Sequence, residues 1–502
     1  MKNQKFMKLI LSKYIILGIQ MAAIIAFLYF IINLNILPIR TIALIGGVLA
    51  AIWLFNLVVI NSGVHKKRYR KRVLFVKLFS ITMSISLLIG SSYVIRGNSF
   101  INNIANRTNE THIVSVRVLK DSNVNKLDDI KDSPLAVSYQ HDSKNIAEAI
   151  AYFEKSIDSN FSIEQKDSYY DVAEALLNKE VEAIIIGNEH VDLLQERYDD
   201  FDFKKETVEI ASYRIEKEIS PNVTISDVTE NTFTIYLTGI DTYGDVSEVA
   251  RSDVNLLITV NPVSKQILMT SIPRDTKVTL ASYNAMDKLT HAGVYGVKET
   301  METIEDLLDI DVHYYAKTNF TGIEAIIDQL GGITIDSPHD DFVTLHGNYL
   351  ITKGINEMNG DKALSFVRER DNLPNGDFDR GRNQQLLLQS MLEKAMSPAI
   401  ITNFNRLLSA IEGTFETNLS DYEIRSLLNM QLNDMSDWEM FSVQVTGHGY
   451  RSAKTYSMWG TETYVIEPDT TRLDRIQELI DKMEDGKSIR QSDVEGLMER
   501  GR

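Results

Sequence analysis

A chain of 502 residues has room for two or three domains, and its formal charge of −17 is spread unevenly. Residues 1–100 hold thirteen of the 52 lysines and arginines and none of the 69 aspartates and glutamates, so the remainder is strongly acidic. An acidic body argues against general nucleic-acid binding, which rests on phosphate neutralisation, and the lack of cysteine excludes disulfides and thiolate chemistry.

Three apolar runs, residues 14–32, 42–60 and 78–95, account for the N-terminal bias, each close to the roughly 20 residues that span a bilayer. Gln20 and Asn56 interrupt them, as polar groups do where helices pack together. A signal peptide would show one shorter run and a small-residue cleavage site, a pattern not seen here. Lys2, Lys5, Lys8 and Lys13 precede the first run, and "HKKRYRKR" (65–72) separates the second from the third. The positive-inside rule places both in the cytoplasm, so that everything after about Arg96 lies outside.

Residues 97–111 read as a polar linker and 112–225 as a small α/β accessory domain. Its strands are expected at "LAVSY" (135–139) and "VEAIIIG" (181–187), with helices at "SKNIAEAIAYFEKSI" and "YYDVAEALLNKE". A second α/β body is expected over 232–482, followed by a charged tail, 483–502. Its strands "FTIYLTGI", "NLLITV" and "QILMTSI" are apolar on both faces, which suits a sheet covered by helices on either side. Met301, Ile304, Leu307 and Leu308 form one helical stripe, and Gly331 and Gly332 stop the helix at "TGIEAIIDQL".

The candidate site centres on "FVRERDNLPNGDFDRGRNQQ" (366–385), with four arginines and three aspartates. "LSFVRER" reads as a strand with Phe366, Arg368 and Arg370 on one face. The helix after it carries the stripe Leu387, Leu388, Met391, Leu392 and Ala395, which extends backwards to Gln384, Arg380 and Asp377. These charges therefore face inward, and inward arginines need anionic partners. Asp377, Asp379 and Glu369 supply some, and a multiply charged phosphate ligand suits the guanidinium forks. Asp241, Arg251 with Asp253, and Arg274 with Asp275 lie at other strand ends, where α/β sheets place ligands. Paired carboxylates beside a phosphate site suggest Mg²⁺, with Mn²⁺ also open.

In this order, "TGID", "ARSD", "SIPRD", "KLTHAGVYG", "IDQLGGITIDSP", "KGINEMNGDKALSFVRER" and "GDFDRGRNQQ" resemble the LytR-CpsA-Psr (LCP) domain over residues 232–400. The three spans and accessory domain are similar to the family's capsule-locus members. The resemblance implies an α-β-α domain with a central mixed sheet, in a multi-pass protein of a Gram-positive cell membrane. It implies transfer of a glycan phosphate, for this architecture capsular polysaccharide, from a polyprenyl-pyrophosphate carrier to peptidoglycan through a phosphodiester. By position, Arg251, Arg274, Arg368, Arg370, Arg380 and Gln384 would hold the pyrophosphate, and Asp241 and Asp253 the Mg²⁺. Asp241, Asp253, Asp377 and Arg274 would be catalytic, with Lys288 and His291 nearby and the lipid tail in an apolar tunnel. Asn383 stands where the family commonly has arginine, and Asp379 and Gly381 where other residues are frequent. The expected partners are the lipid-linked glycan, peptidoglycan, the membrane and capsule-assembly proteins, with no nucleic acid. Two rival readings are a pyrophosphate-link hydrolase and a non-enzymatic regulator that senses lipid-linked glycan.

Overall fold

The computed structural model describes residues 12–62, 70–197, 202–219, 225–240, 246–396 and 413–498. Asp241, Lys2, Lys5, Lys8 and most of the 65–72 cluster lie outside them. Helices Lys13–Leu34, Ile39–Ser62 and Arg70–Ile104 are long and apolar enough to cross a membrane. Their polar interruptions pair with one another: Asn56 Nδ2 donates to Ser80 Oγ (3.1 Å) and to Gln20 Oε1 (3.3 Å), which satisfies the amide donor while Asn56 Oδ1 stays buried without a hydrogen bond.

The third helix runs through most of the expected linker to Ile104, and the first strand starts at Asn109. Strands β1 (Asn109–Leu119), β2 (Pro134–Val137), β3 (Ser162–Gln165), β4 (Ala183–Gly187) and β5 (Thr207–Glu218) form a mixed sheet in the order β3-β2-β4-β1-β5. Helices Ser143–Ile157 and Tyr169–Leu177 pack on it, as their apolar spacing predicts.

The larger body holds β6 (Phe233–Ile240), β7 (Ser252–Asn261), β8 (Gln266–Ser271), the ribbon β9 (Lys277–Leu280) and β10 (Ala285–Lys288), and β11 (Tyr314–Asn319). Two small ribbons follow, built from β12 (Ile333–Ser337), β13 (Phe342–Val343), β14 (Leu350–Ile351) and β15 (Gly354–Met358). The last strands are β16 (Phe415–Thr417), β17 (Glu439–Gln444), β18 (Gly447–Ser452) and β19 (Thr463–Pro468). The main sheet runs β16-β11-β6-β7-β8-β17. β7 is antiparallel to β6 and β8, while β11 and β17 are parallel to those neighbours. The C-terminal ends of β6, β8, β11 and β17 and the start of β7 therefore share one edge of the sheet.

Two expectations need correction. "LSFVRER" is not a strand: Asn359 accepts a hydrogen bond from the Lys362 N–H and caps a helix, Gly360–Arg368. A cap followed by good helix formers outweighs the apolar alternation read from Phe366 onward. Nor do residues 483–498 form a loose charged tail. Ile489, Val494 and Leu497 enter the same buried cluster as Tyr236, Leu257 and Ile480, and Arg472 donates to the carbonyls of Gly496 and Leu497. Their widely spaced apolar residues were masked by the charges between them.

Helix Asp421–Asp434 seats the large body on the spans. Arg425 donates to the Leu34 carbonyl (2.6 Å) and to Asn102 Oδ1 (2.9 Å), and Asn429 to the Ile36 carbonyl (3.0 Å). This contact is on the β16 side of the main sheet, with Leu428 and Phe415 packed against Ile36 and Phe100.

Candidate active site

A cavity of about 230 Å³ opens at the shared edge of the main sheet. Asp253, Arg274, Arg368, Arg370, Arg380 and Gln384 line its polar part, and Phe320, Ile323, Leu345, Leu364 and Val367 its apolar part. Six of the expected site residues thus meet in one place, brought there by β7, the segment after β8, and two helices with the loop between them.

Five of these six side chains have a specific partner. Arg274 Nη1 donates to Asp253 Oδ1 at 2.9 Å, and Thr290 Oγ1 lies 3.4 Å from the same oxygen. Burial works to raise the Asp253 pKa, but the fields of Arg274, Arg251 and Arg380 outweigh it, and the carboxylate is held below its usual range. Burial likewise opposes the charge on Arg274, and Asp253, Asp275 and Asp377 more than compensate for it. Arg368 ends helix Gly360–Arg368, where a cation suits the helix dipole, and its guanidinium stacks 4.2 Å from the Phe320 ring. Arg370 pairs with the exposed Asp371 at 3.1 Å.

Helix Asp377–Ala395 begins as early as the backward extension of its stripe requires, and Arg380 pairs with Asp377 at 2.5 Å. Of the three acids expected to face arginines, only Asp377 does so here. Glu369 accepts backbone N–H bonds from Leu345, Arg370 and Asn372, and Asp379 accepts one from Asn375. Both are loop-holding acids. A sequence pattern counts charges without showing which backbone donors surround them.

The unusual residues of this run have structural reasons. Asn383, with 0% exposure, donates to the Phe366 carbonyl and faces His339 Nε2 at 2.9 Å, joining the two arginine-bearing helices. A Cβ on Gly381 would come within 2.6 Å of Ser271 Oγ and 2.5 Å of Gln444 Nε2, so glycine permits close approach of helix to sheet. Gln385 donates to the carbonyls of Met269 and Val443, tying that helix across β8 and β17.

Lys288 and His291 do not line the cavity. Lys288 Nζ lies 3.3 Å from Asp275, and the fully buried His291 pairs through Nδ1 with Asp287 at 2.6 Å. Asp287 also accepts from the Ser457 N–H and hydroxyl. Phe320, which the sequence reading missed, gives Arg368 its platform; its place directly after β11, at the same sheet edge, was the available signal.

Clustered guanidiniums around an ionised carboxylate, with an apolar wall beside them, mark the candidate site of this α/β domain, on a chain with membrane-length helices. The LytR_cpsA_psr family model matches residues 198–482, more than half of the chain, and the chain belongs to that family. A DNA polymerase processivity factor model matches residues 67–186, a minor share that includes the apolar helix Arg70–Ile104 and carries no functional argument. The chain is 35% identical over 189 residues to the polyisoprenyl-teichoic acid–peptidoglycan teichoic acid transferase TagU of Bacillus licheniformis, covering 38% of this chain and 60% of that protein. It is 30% identical over 246 residues to TagU of Bacillus cereus, covering 49% and 77%. Among solved structures, TagV of B. subtilis has 28% identity and a TM-score of 0.44, over 52% of this chain and 99% of that one.

Proposed function

We propose that the protein transfers a glycan phosphate from a polyprenyl-pyrophosphate carrier to a hydroxyl of peptidoglycan, acting on the outer face of a membrane that its three helices span. The observation carrying this reading is the cavity in which Arg274, Arg368, Arg370 and Arg380 meet Asp253 on one side and apolar side chains on the other. A pyrophosphate flanked by an isoprenoid has the same two-sided chemistry. The transferase names of the TagU relatives support the reaction class. The three-span architecture favours a capsular polysaccharide as the glycan.

In this reading the acceptor oxygen attacks the phosphorus that bears the glycan, and the bond to the bridging oxygen breaks, releasing polyprenyl phosphate. The arginines bind both phosphates and stabilise charge on the leaving oxygen. Asp253 or Asp377, or Asp241 outside the described residues, takes the acceptor's proton. Mg²⁺ fits Asp253, since it is bound by one or two carboxylates with substrate phosphates completing its shell, and the Arg274 and Thr290 bonds to this carboxylate both fall on Oδ1. Among the described residues no cluster of three acidic or histidine ligands forms a closed site. When bound, the ion would polarise the phosphoryl oxygens.

The test incubates the full chain in detergent with a polyprenyl-pyrophosphate glycan, Mg²⁺ and peptidoglycan, with products read by mass spectrometry. A phosphodiester-linked glycan on peptidoglycan, lost in Arg368→Ala, is expected. Free glycan phosphate in place of the linked product would mean a hydrolase.

A further inference from the structure

A second cavity, about 760 Å³, lies between the β9–β10 ribbon and the β18–β19 hairpin, away from the arginine cluster. We propose that this groove binds a glycan strand bearing carboxylates, the acceptor of the transfer reaction; the role as acceptor site rests on the function proposed above. Lys277, Tyr450, Arg451, Lys454, Tyr456 and Trp459 line it. Trp459 is 67% exposed, whereas the indole N–H groups of Trp53 and Trp438 are bonded to the Leu17 carbonyl and to Gln431. An exposed indole and two half-buried tyrosines beside cations fit a ligand with apolar sugar faces and acidic substituents.

The groove is pre-organised. The loop between β18 and β19 is closed by the Gly460 N–H on the Ala453 carbonyl (2.9 Å) and anchored at Ser457. Ser457 donates to buried Asp287, which His291 holds from the other side, and Tyr295 Oη lies 2.8 Å from Ser457 Oγ. Tyr169 of the accessory domain donates to the Ser457 carbonyl, and Tyr456 meets the His141 ring edge-on at 4.5 Å. His291 is thus a positioning residue: the Asp287 it holds fixes the loop that presents Trp459. A platform held this way loses little freedom on binding.

Position argues for the wall side. The hairpin follows β17, the edge strand opposite β16, and the spans pack on the β16 side. Five inter-strand spacings separate those edges by about 24 Å, which sets the hairpin apart from the strand edge where the apolar helices pack. It is nonetheless coupled to the arginine cavity: the Ile466 N–H donates to the Asp275 carbonyl (2.8 Å), beside Arg274, and Lys277 is three residues further along. Lys277 also pairs with Glu467 at 2.7 Å, fixing the ribbon against the hairpin.

The experiment titrates the full chain in detergent with solubilised glycan strands of alternating N-acetylglucosamine and N-acetylmuramic acid carrying peptide stems, following tryptophan emission and sedimentation. Trp459→Ala is expected to weaken binding at least tenfold without changing the melting temperature, and Trp459→Phe to restore it to within about threefold of wild type. Lys454→Ala should weaken binding of these strands more than of a neutral N-acetylglucosamine oligomer. Arg368→Ala should bind strands as wild type does while losing the donor lipid. Strand binding that depends on Trp459, in a protein that performs no transfer, would support the groove and overturn only the reaction proposed for it. Equal binding by wild type and Trp459→Ala, or no binding by wild type, would overturn the groove itself.

Discussion

Arg274 Nη1 and Asp253 Oδ1 stand 2.9 Å apart at the junction of β7 and the segment leaving β8, and each holds the other's charge in a partly buried site. Because the folded-state pKa of Asp253 is depressed, its contribution to stability is present above the ordinary carboxylate range and fades as pH falls through the folded value. Asp253→Asn keeps the shape and removes the charge, so transfer should fall about 10²–10³-fold, the scale of one lost electrostatic stabiliser. Arg274→Ala and Asp253→Asn should each destabilise the fold, because each leaves the other buried charge with fewer partners: Arg251 and Arg380 for Asp253, Asp275 and Asp377 for Arg274. In urea titrations the double variant should be less destabilised than the sum of the two singles. Strict additivity would show that the pair has no energetic coupling.

Gly381 permits the contact that aims Arg380. Ala at this position would press on Ser271 and Gln444 at distances real Cβ atoms do not adopt. Unless the ends of Ser271 and Gln444 rotate away, which breaks the Gln444 bond to the Phe378 carbonyl, helix Asp377–Ala395 moves off β8 and β17 and carries Arg380 and Gln384 with it. Gly381→Ala should cost roughly 1–3 kcal/mol, as overpacking does, and weaken donor binding beyond what the stability loss explains. Wild-type donor affinity in this variant would mean that the helix absorbs the methyl without moving.

Much of this site was legible because it sits at strand ends. The apolar runs of β6, β7 and β8 set the sheet, and Asp253 and Arg274 follow from where those runs stop. The stripe of Leu387, Met391 and Leu392 fixed which face of its helix would carry Gln384 and Arg380. Arg368 reached the cavity by another route than expected, from a helix C-terminus instead of a strand face. Its placement survives because Arg368 lies within two residues of the end of its element in either case. The long-range contacts were not legible: Glu369 turned to the backbone of Leu345, Asn383 to Phe366, and His291 to Asp287. Such choices depend on which donors the fold brings near, and no local pattern encodes them.

The C-terminal segment supplies core to the domain. Leu497 is buried with Val494 and Ile489 against Val443 and Ile476, and its carbonyl accepts from the Gln444 N–H and from Arg472. Leu497→Ala should cost about 2–5 kcal/mol, as cavity-forming core substitutions do. Truncation after residue 482 should lower the melting temperature further than this single change. A truncated chain that melts with wild type would show that these contacts contribute nothing.

Where the accessory sheet meets the large body, Glu110 Oε2 accepts the Val297 N–H at 2.9 Å, at the start of helix Val297–Leu308. His112 lies between Glu110 (3.4 Å) and Glu189 (3.6 Å), with His190 beside Glu189. Burial alone would lower the His112 pKa, but the two carboxylates outweigh it and raise it to about 9. The folded state therefore keeps a proton that the unfolded chain releases near pH 6.5. The stabilisation is complete below that value and is lost as pH rises towards about 9, a change of up to about 3 kcal/mol. Asp142 and Glu484, each pushed up to about 7, act in the same direction but finish ionising near pH 8, so the fall between about pH 8 and 9 belongs to His112. Urea midpoints should fall across that window in wild type and stay nearly flat in His112→Asn. The same slope in both proteins would assign the titration to another group.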